Sequence, residues 1–229
     1  MNTVKCFLPC RKGSERIPKK NIKQFSSYSN GLIEIKLKQL CEAQYIEEIV
    51  LSTNDEDILN YALSLNSTKI RLHHRNESLS SSLTSTDSLV AHAVDLIPEA
   101  HILWTHVTSP FVTAAHYDQM INTYFEKLEY GYDSLMSTTK IHSFLWNEQQ
   151  PINYNRNLER WPRTQTLTPL YEINSAAFIA SSSTYKNKHD RIGDLPYLYT
   201  LDKLVSHDID WSEDFILAEC LFDKGIVKI

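Results

Sequence analysis

The stretch PCRKGSERIPKKN, residues 9–21, sets Arg11, Lys12, Arg16, Lys19 and Lys20 against a single acid, Glu15. So dense a cationic loop suits a compact anion, because phosphate oxygens take charge-assisted hydrogen bonds from both Arg and Lys. Gly13 and Ser14 permit a tight turn with backbone N–H groups facing inward, the form of an anion-binding nest. The loop is neither a GxxxxGK[ST] phosphate loop nor a GxGxxG dinucleotide fingerprint. A solvated basic surface loop accounts for the same charges about equally well. Near the other end of the chain, SHDIDWSEDF places Asp208 and Asp210 two positions apart. In an extended segment their carboxylates share a face, and such a pair can hold a hard divalent cation. Asp210 or Ser212 serves about as well as the N-cap of a final helix, and Asp214 suits its first turn through the macrodipole.

These groups need elements to hold them. VKCFLP reads as a short buried strand ended by Pro9, so the cationic loop leaves its carboxyl end. LIEIKLKQLCEAQ reads as a helix, EEIVLST as a strand and NDEDILNYALSL as a helix capped by Asn54 or Asp55. KIRLHH follows as a strand, then TSTDSLVAHAVDLI as a helix with Leu89, Val90, Ala93 and Ile97 on one stripe. HILWTHVT is a strand, AAHYDQMINTYFEKLEY a helix and YDSLMSTTKI a strand. This alternation predicts an α/β fold, a mostly parallel sheet with helices on both faces. From about 142 to 172 it stops, in a segment rich in Asn, Pro, Trp and Tyr that reads as an insertion on a single domain. SAAFIASS, PYLYTL and a final helix from about Ser212 complete the chain.

Composition narrows the partners. With 23 Lys+Arg against 28 Asp+Glu the net charge is −5, which gives no reason to expect nucleic acid or a membrane surface. The target of the basic loop is therefore small and anionic. Cys6, Cys10, Cys41 and Cys220 show no metal spacing, and Cys6 and Cys10 fit a reduced core. The N-terminal apolar run is too short for a signal peptide, and no run approaches the ~20 residues of a membrane helix. A cytoplasmic protein is expected. His92 and His101 read as ordinary partly buried histidines. No Ser-His-Asp or Cys-His ordering supports a hydrolase.

Arg11 and Ser14 followed by IPKKN, with Lys20 and Asn21, resemble the opening R-x-G-S-K-x-x-P-x-K-N motif of the acylneuraminate cytidylyltransferases, the CMP-sugar-acid synthetases. IVLSTND resembles the family's I-V-V-S-T-D-D, and HHRNESL, with Arg75, resembles its R-P-x-E-L turn. SSSLTSTD precedes a helix as in the family, and HVTSPF stands for Q-P-T-S-P-L. PRTQ matches P-R-x-Q, and SHDIDWSEDFILAE matches D-I-D-x-x-x-D-(F/L)-x-x-A-E. These motifs fall in the family's order along nearly the whole chain.

The resemblance implies a Rossmann-like three-layer α/β/α fold and transfer of CMP from CTP to a sugar acid, with pyrophosphate released. It assigns Arg11, Lys20, Asp208 and Asp210 to catalysis, with Asp208 and Asp210 holding Mg²⁺. Nucleotide contacts fall on Arg11, Gly13, Ser14, Arg16, Lys20, Asn21, Arg75, Ser85 and Thr86; helix capping is at least half the explanation of the last two. Acceptor contacts fall on His106, Thr108, Ser109, Arg163, Gln165, Glu172 and Asn174. It further implies a homodimer formed through the insertion, with Phe144, Leu145, Trp146 and Trp161 covered by the second subunit. Three departures stand out. Glu15 replaces a loop Lys, with Arg16 beside it. The helix at 32 lacks the G-K-P-L start. EINSA replaces R-P-N-G-A, so Glu172 stands where an Arg is expected to help bind the acid group. A carboxylate does not pair with a carboxylate at neutral pH, which makes Arg163 the local candidate for that task. Two other readings remain open: a cytidylyltransferase for a different sugar acid or a phosphorylated or phosphonylated small molecule, and a nucleotide-binding protein without catalysis.

Overall fold

The first strand, β1 (Val4–Cys10), is buried along nearly its whole length, as expected for a strand covered on both faces. The computed structural model describes residues 3–81 and 83–229. Met1 and Asn2 of the N-terminal reading and Ser82 of the Ser/Thr-rich motif lie outside the described residues. β1 pairs in parallel with β2 (Ile46–Thr53) on one side and β4 (His101–Trp104) on the other. β3 (Ile70–His74) extends the parallel set beyond β2. The sheet continues through β6 (Leu170–Ser181), β5 (Ser134–Ile141) and β7 (Pro196–Leu201), giving the order β3-β2-β1-β4-β6-β5-β7. β6 runs antiparallel to both its neighbours, while β5 and β7 pair in parallel. The sheet is thus mostly parallel, as the alternating pattern implies.

Helices cover both faces. α1 (Gly31–Glu42), α2 (Glu56–Ser64), α4 (Ala114–Leu128) and α6 (Ser212–Asp223) pack around Leu8, Leu51, Leu103 and Ile179. α3 (Thr86–Leu96) and α5 (Ser182–Lys188) cover Phe7, Val50, Trp104 and Phe178 on the other face. Cys6 and Cys10 are free and buried; burial pushes the Cys10 thiol up to about 12 and keeps it protonated. Two boundaries differ from expectation. β6 begins at Leu170, inside the expected 142–172 insertion, because residues 170–173 pair with Thr138–Ile141 across a bulge. α5 was not expected at all; its seven residues are polar, and only Ser182 and Tyr185 are buried.

Two glycines serve the site. Gly13 takes φ +78°, a left-handed turn within the cationic loop. At Gly31 (φ +62°) a Cβ would approach the Lys23 carbonyl oxygen to 2.0 Å, so only glycine lets residues 19–30 pack onto the start of α1.

Candidate active site

The loops after β1, β2 and β4 leave the same edge of the parallel strands, where α/β sheets place their ligands. Arg11, Ser14, Glu15, Arg16, Lys20, Asn21 and Asp210 line one pocket there. The loop is tied down from several directions. The Asn21 amide donates to the Arg11 carbonyl at 3.1 Å, and the Asn21 carbonyl accepts from the Ile33 N–H at 2.9 Å. Asn54 accepts from the Lys12 N–H at 2.8 Å and donates to Glu77 at 3.1 Å. Asn54 is therefore a strut for the loop, and the α2 cap falls to Asp55, which accepts from the Asp57 N–H.

Lys20 is the hinge between the two ends of the chain. Its ammonium donates to the Ile209 carbonyl at 2.7 Å and sits 3.6 Å from the Asp210 carboxylate. Arg16 meets the same carboxylate at 3.0 Å and stacks over Trp211 at 4.8 Å. The Arg16–Asp210 pair is about half exposed on both sides, so it contributes at most ~1 kcal/mol and can be exchanged for a ligand at little cost. Burial lowers the Lys20 ammonium below its ordinary pKa, with Asp210 and Asp208 opposing.

Asp208 and Asp210 belong to the segment before α6. The helix is capped at Trp211, and the Asp214 carboxylate accepts from the N–H groups of Asp210 and Trp211 at 3.0 and 2.7 Å. Neither Asp210 nor Ser212 is the cap, and the Asp210 side chain is left for the loop cations. Asp208 points inward. Its Oδ1 is sealed from solvent without a hydrogen-bond partner. Burial raises its carboxyl above the usual range, Asp210 pushes the same way, and Thr108 and Lys20 oppose.

Both carboxylates line a second cleft with Thr139, Glu172, Ile173, Asn174, Ser175, Lys203, Ser206 and His207. Asp210 borders both spaces. Asn174 is largely committed to structure: its Oδ1 accepts from Ser137 at 2.6 Å and from the Ala176 N–H, and its amide donates to Thr139.

The turn after β4 is braced by a buried lysine that sequence reasoning missed. Lys36 on α1 is fully buried and donates to the Ser109 carbonyl at 2.8 Å and the Tyr117 hydroxyl at 2.7 Å. The Tyr117 hydroxyl in turn donates to Thr105 at 2.8 Å, which donates to the Ala176 carbonyl at 2.7 Å. Gln39 donates to the Pro110 carbonyl, and the Thr108 carbonyl accepts from the Ile209 N–H at 2.9 Å. Burial brings the Lys36 pKa down to about 7, against Cys6 and Asp208. The Ser109 hydroxyl is buried without a partner. His106 accepts from the Trp104 indole at 3.0 Å through Nε2, which leaves its proton on Nδ1. Burial and neighbouring cations, Arg191 foremost, hold it neutral with a pKa of about 3.

Other expected residues fall elsewhere. Arg75 is buried at 2 % exposure and bonded to Ser80 at 3.2 Å, so it is not a surface charge. Ser85 caps α3, accepting from the Ser88 N–H, and Ser85 and Thr86 are exposed and do not line the loop pocket. Arg163 and Gln165 are exposed on the 142–169 segment and do not line the acceptor-side cleft. In that segment Phe144 and Leu145 are half-buried, Phe144 against Tyr154 and Trp161, while Trp146 and Trp161 remain exposed. Asn153 holds the segment together through Leu145, Ser143 and Thr168.

Comparison with known proteins fits this geometry. The chain is 24% identical over 224 residues to the pseudaminic acid cytidylyltransferase of Campylobacter jejuni, covering 95% of each. It is 26% identical over 231 residues to the N-acylneuraminate cytidylyltransferase of Streptococcus agalactiae, covering 96% of this chain and 54% of that one. Its fold matches that of a CMP:2-keto-3-deoxy-manno-octonic acid synthetase complexed with CTP, with a TM-score of 0.67, 13% identity and coverage of 97% and 99%. The family profile described as Cytidylyltransferase matches residues 6–217, nearly the whole α/β unit from β1 into α6, and the chain belongs to that family, whose members are CTP-dependent nucleotidyltransferases.

Proposed function

We propose that this cytidylyltransferase joins CMP from CTP to a nonulosonic-type sugar acid. The observation that carries the reading is the position of Asp210, which borders both the cationic loop pocket and the second cleft. A triphosphate in the first space and an acceptor in the second would meet at that carboxylate. The acceptor hydroxyl oxygen attacks the α-phosphorus of CTP and gives up its proton. The bond from the α-phosphorus to the bridging oxygen breaks, and pyrophosphate leaves. Positioning and charge neutralisation supply most of the rate in such transfers.

Arg11, Arg16, Lys20 and the turn at Gly13 and Ser14 would bind the phosphates, and Asn21 would reach the nucleoside. Arg75 would act from beneath the loop, and Ser85 and Thr86 from the start of α3. Asp208 and Asp210 would hold Mg²⁺. Among the described residues no group of three or more His, Cys, Asp or Glu side chains is gathered for a metal. Two carboxylates, with phosphate oxygens and water completing the shell, suit Mg²⁺, and the unpartnered buried Oδ1 of Asp208 suits a cation ligand. Bound there, Mg²⁺ would offset the charge developing on the phosphate oxygens.

On the acceptor side we assign His106, Thr108, Ser109, Glu172 and Asn174. Glu172 is exposed at the rim of the cleft, which disfavours a carboxylate close by and favours hydroxyl or amino substituents. With its acid group placed as in the sialate enzymes, N-acetylneuraminate is then a poor acceptor, and a differently substituted acid bound another way is preferred. Arg163 and Gln165 join the site only if a second copy of the chain brings its 142–169 segment across; exposed Trp146 at 44 % and Trp161 at 68 % support such a contact. No described helix is long and apolar enough to cross a membrane. A cytoplasmic homodimer feeding surface-glycan synthesis is the setting that fits this reading. Incubation with CTP, Mg²⁺ and candidate acids, with mass analysis for a CMP-linked product, tests it; absence of product with every acid would refute it.

A further inference from the structure

Arg191 lies in the turn between α5 and β7, and nothing in the sequence motifs points to it. Its guanidinium packs over the Phe178 ring at 3.8 Å and the Trp104 ring at 5.2 Å. It is half-buried, and burial lowers its pKa. Among the described residues it has no carboxylate within ion-pairing distance and no side-chain hydrogen bond; only its backbone N–H is engaged, by Asp190. Every other largely buried cation of this chain is tied to an oxygen: Lys36 to Ser109 and Tyr117, Lys20 to Ile209, Arg75 to Ser80. Stacking on two rings offsets only part of the cost of desolvating a guanidinium. The planar fork keeps its donors for something else.

What surrounds Arg191 points the same way. The Trp104 ring that floors the guanidinium also donates to His106, fixing the free Nδ1–H of that imidazole. His106 stands two residues before Thr108, whose carbonyl holds the segment carrying Asp208 and Asp210. A free fork and a neutral imidazole N–H thus lie close together at the carboxyl end of β4, where Trp104 pairs with Phe178 and Arg191 is the foremost charge acting on His106.

We propose that Arg191 is the specificity-determining residue for the acceptor's acid group, forming a bidentate pair with its carboxylate over the Trp104–Phe178 platform while His106 Nδ1–H serves a neighbouring oxygen. This rests on the sugar-acid reading above and names the residue that enforces it. It also explains how a chain with Glu172 at the cleft rim accepts a carboxylate: the acid group turns away from Glu172 and toward Arg191.

The test compares wild type, Arg191→Gln and Arg191→Lys on the preferred acid and on its neutral carboxamide. Wild type discriminates acid from amide by about tenfold or more in kcat/KM. Arg191→Gln raises the acceptor KM and removes that discrimination, leaves the KM for CTP unchanged, and Arg191→Lys restores it in part. A purely structural stacking role would lower activity on acid and amide alike and keep their ratio; that result, or an unchanged acceptor KM in Arg191→Gln, overturns the assignment while the sugar-acid reading stands. If wild type turns over no sugar acid, the reading and the assignment fall together.

Discussion

Lys20 donates to the carbonyl of Ile209 at 2.7 Å, so the first loop of the chain is bonded to the peptide between the two late carboxylates. The cationic loop pocket and the carboxylate pair are therefore one assembly, not two neighbouring features. Removing Lys20 should loosen both, while removing Arg11 should affect only the loop pocket.

Arg11→Ala is expected to raise the KM for CTP by removing a charge-assisted bond worth roughly 1.5–3 kcal/mol, with kcat nearly kept. Lys20→Ala should raise that KM by a similar factor and also lower kcat. Steady-state kinetics with CTP varied would decide; wild-type constants in both variants would reject the loop assignment.

Asp208→Asn and Asp210→Asn should each fold and abolish most turnover. In Asp208→Asn the change falls on a largely sealed atom, so a circular dichroism spectrum and unfolding midpoint near wild type are needed to read the kinetic loss. Excess chelator should silence the wild type in the same way, and full activity in chelator would remove the metal from the account.

Lys36 gives a stability prediction with a defined sign. Its folded pKa is held near 7 by burial, well below the unfolded value. Between about pH 7 and the ordinary lysine pKa of about 10.4 the unfolded chain binds more protons, so stability rises with pH there. Below pH 7 the full cost of burying the charge is felt. Lys36→Met lacks this term. The difference in unfolding free energy between wild type and Lys36→Met should therefore grow in favour of wild type from pH 7 to 8.5, by at most about 1.4 kcal/mol per unit. Urea titrations at both pH values measure it, and a difference that stays flat would show that Lys36 remains charged.

The exposed tryptophans of the 142–169 segment predict self-association. Light scattering at micromolar concentration should return the mass of a dimer, and Trp161→Ser should shift it toward the monomer with loss of acceptor affinity. A fully active monomer would exclude the second copy and with it any role of Arg163 and Gln165 in the neighbouring site.

Much of the fold was legible because burial writes a period into the sequence: β2 carries its β-branched run, and of the expected stripe Val90, Ala93 and the cap residue Ile97 are buried while Leu89 packs partly exposed against the same cluster. The antiparallel direction of β6 was not legible, since a strand covered on both faces reads the same in either direction. α5 is short, polar and anchored by Tyr185, below any periodic signal. At the site, charge density marked the loop from Arg11 to Asn21, while spacing left Asp208 and Asp210 level with a helix cap and the family resemblance singled them out. Lys36 and Arg191 left no trace: a lysine in a helix and an arginine in a turn are ordinary until tertiary packing buries one against Ser109 and lays the other on Phe178. Asn54 and Asp55 are both good cap residues by type; Asp55 takes the cap, and only the neighbouring backbone N–H of Lys12 shows the use of Asn54.

The central claim is that CTP and a sugar acid meet at Asp210. Its most direct test is a single reaction of the purified chain with CTP, Mg²⁺ and a panel of nonulosonic acids including N-acetylneuraminate, analysed by mass for a CMP-linked acid together with released pyrophosphate. The account predicts a CMP–acid conjugate and equimolar pyrophosphate, with N-acetylneuraminate among the poorer acceptors and no product from Asp210→Asn. Pyrophosphate release without any conjugate, or undiminished conjugate formation by Asp210→Asn, would contradict it.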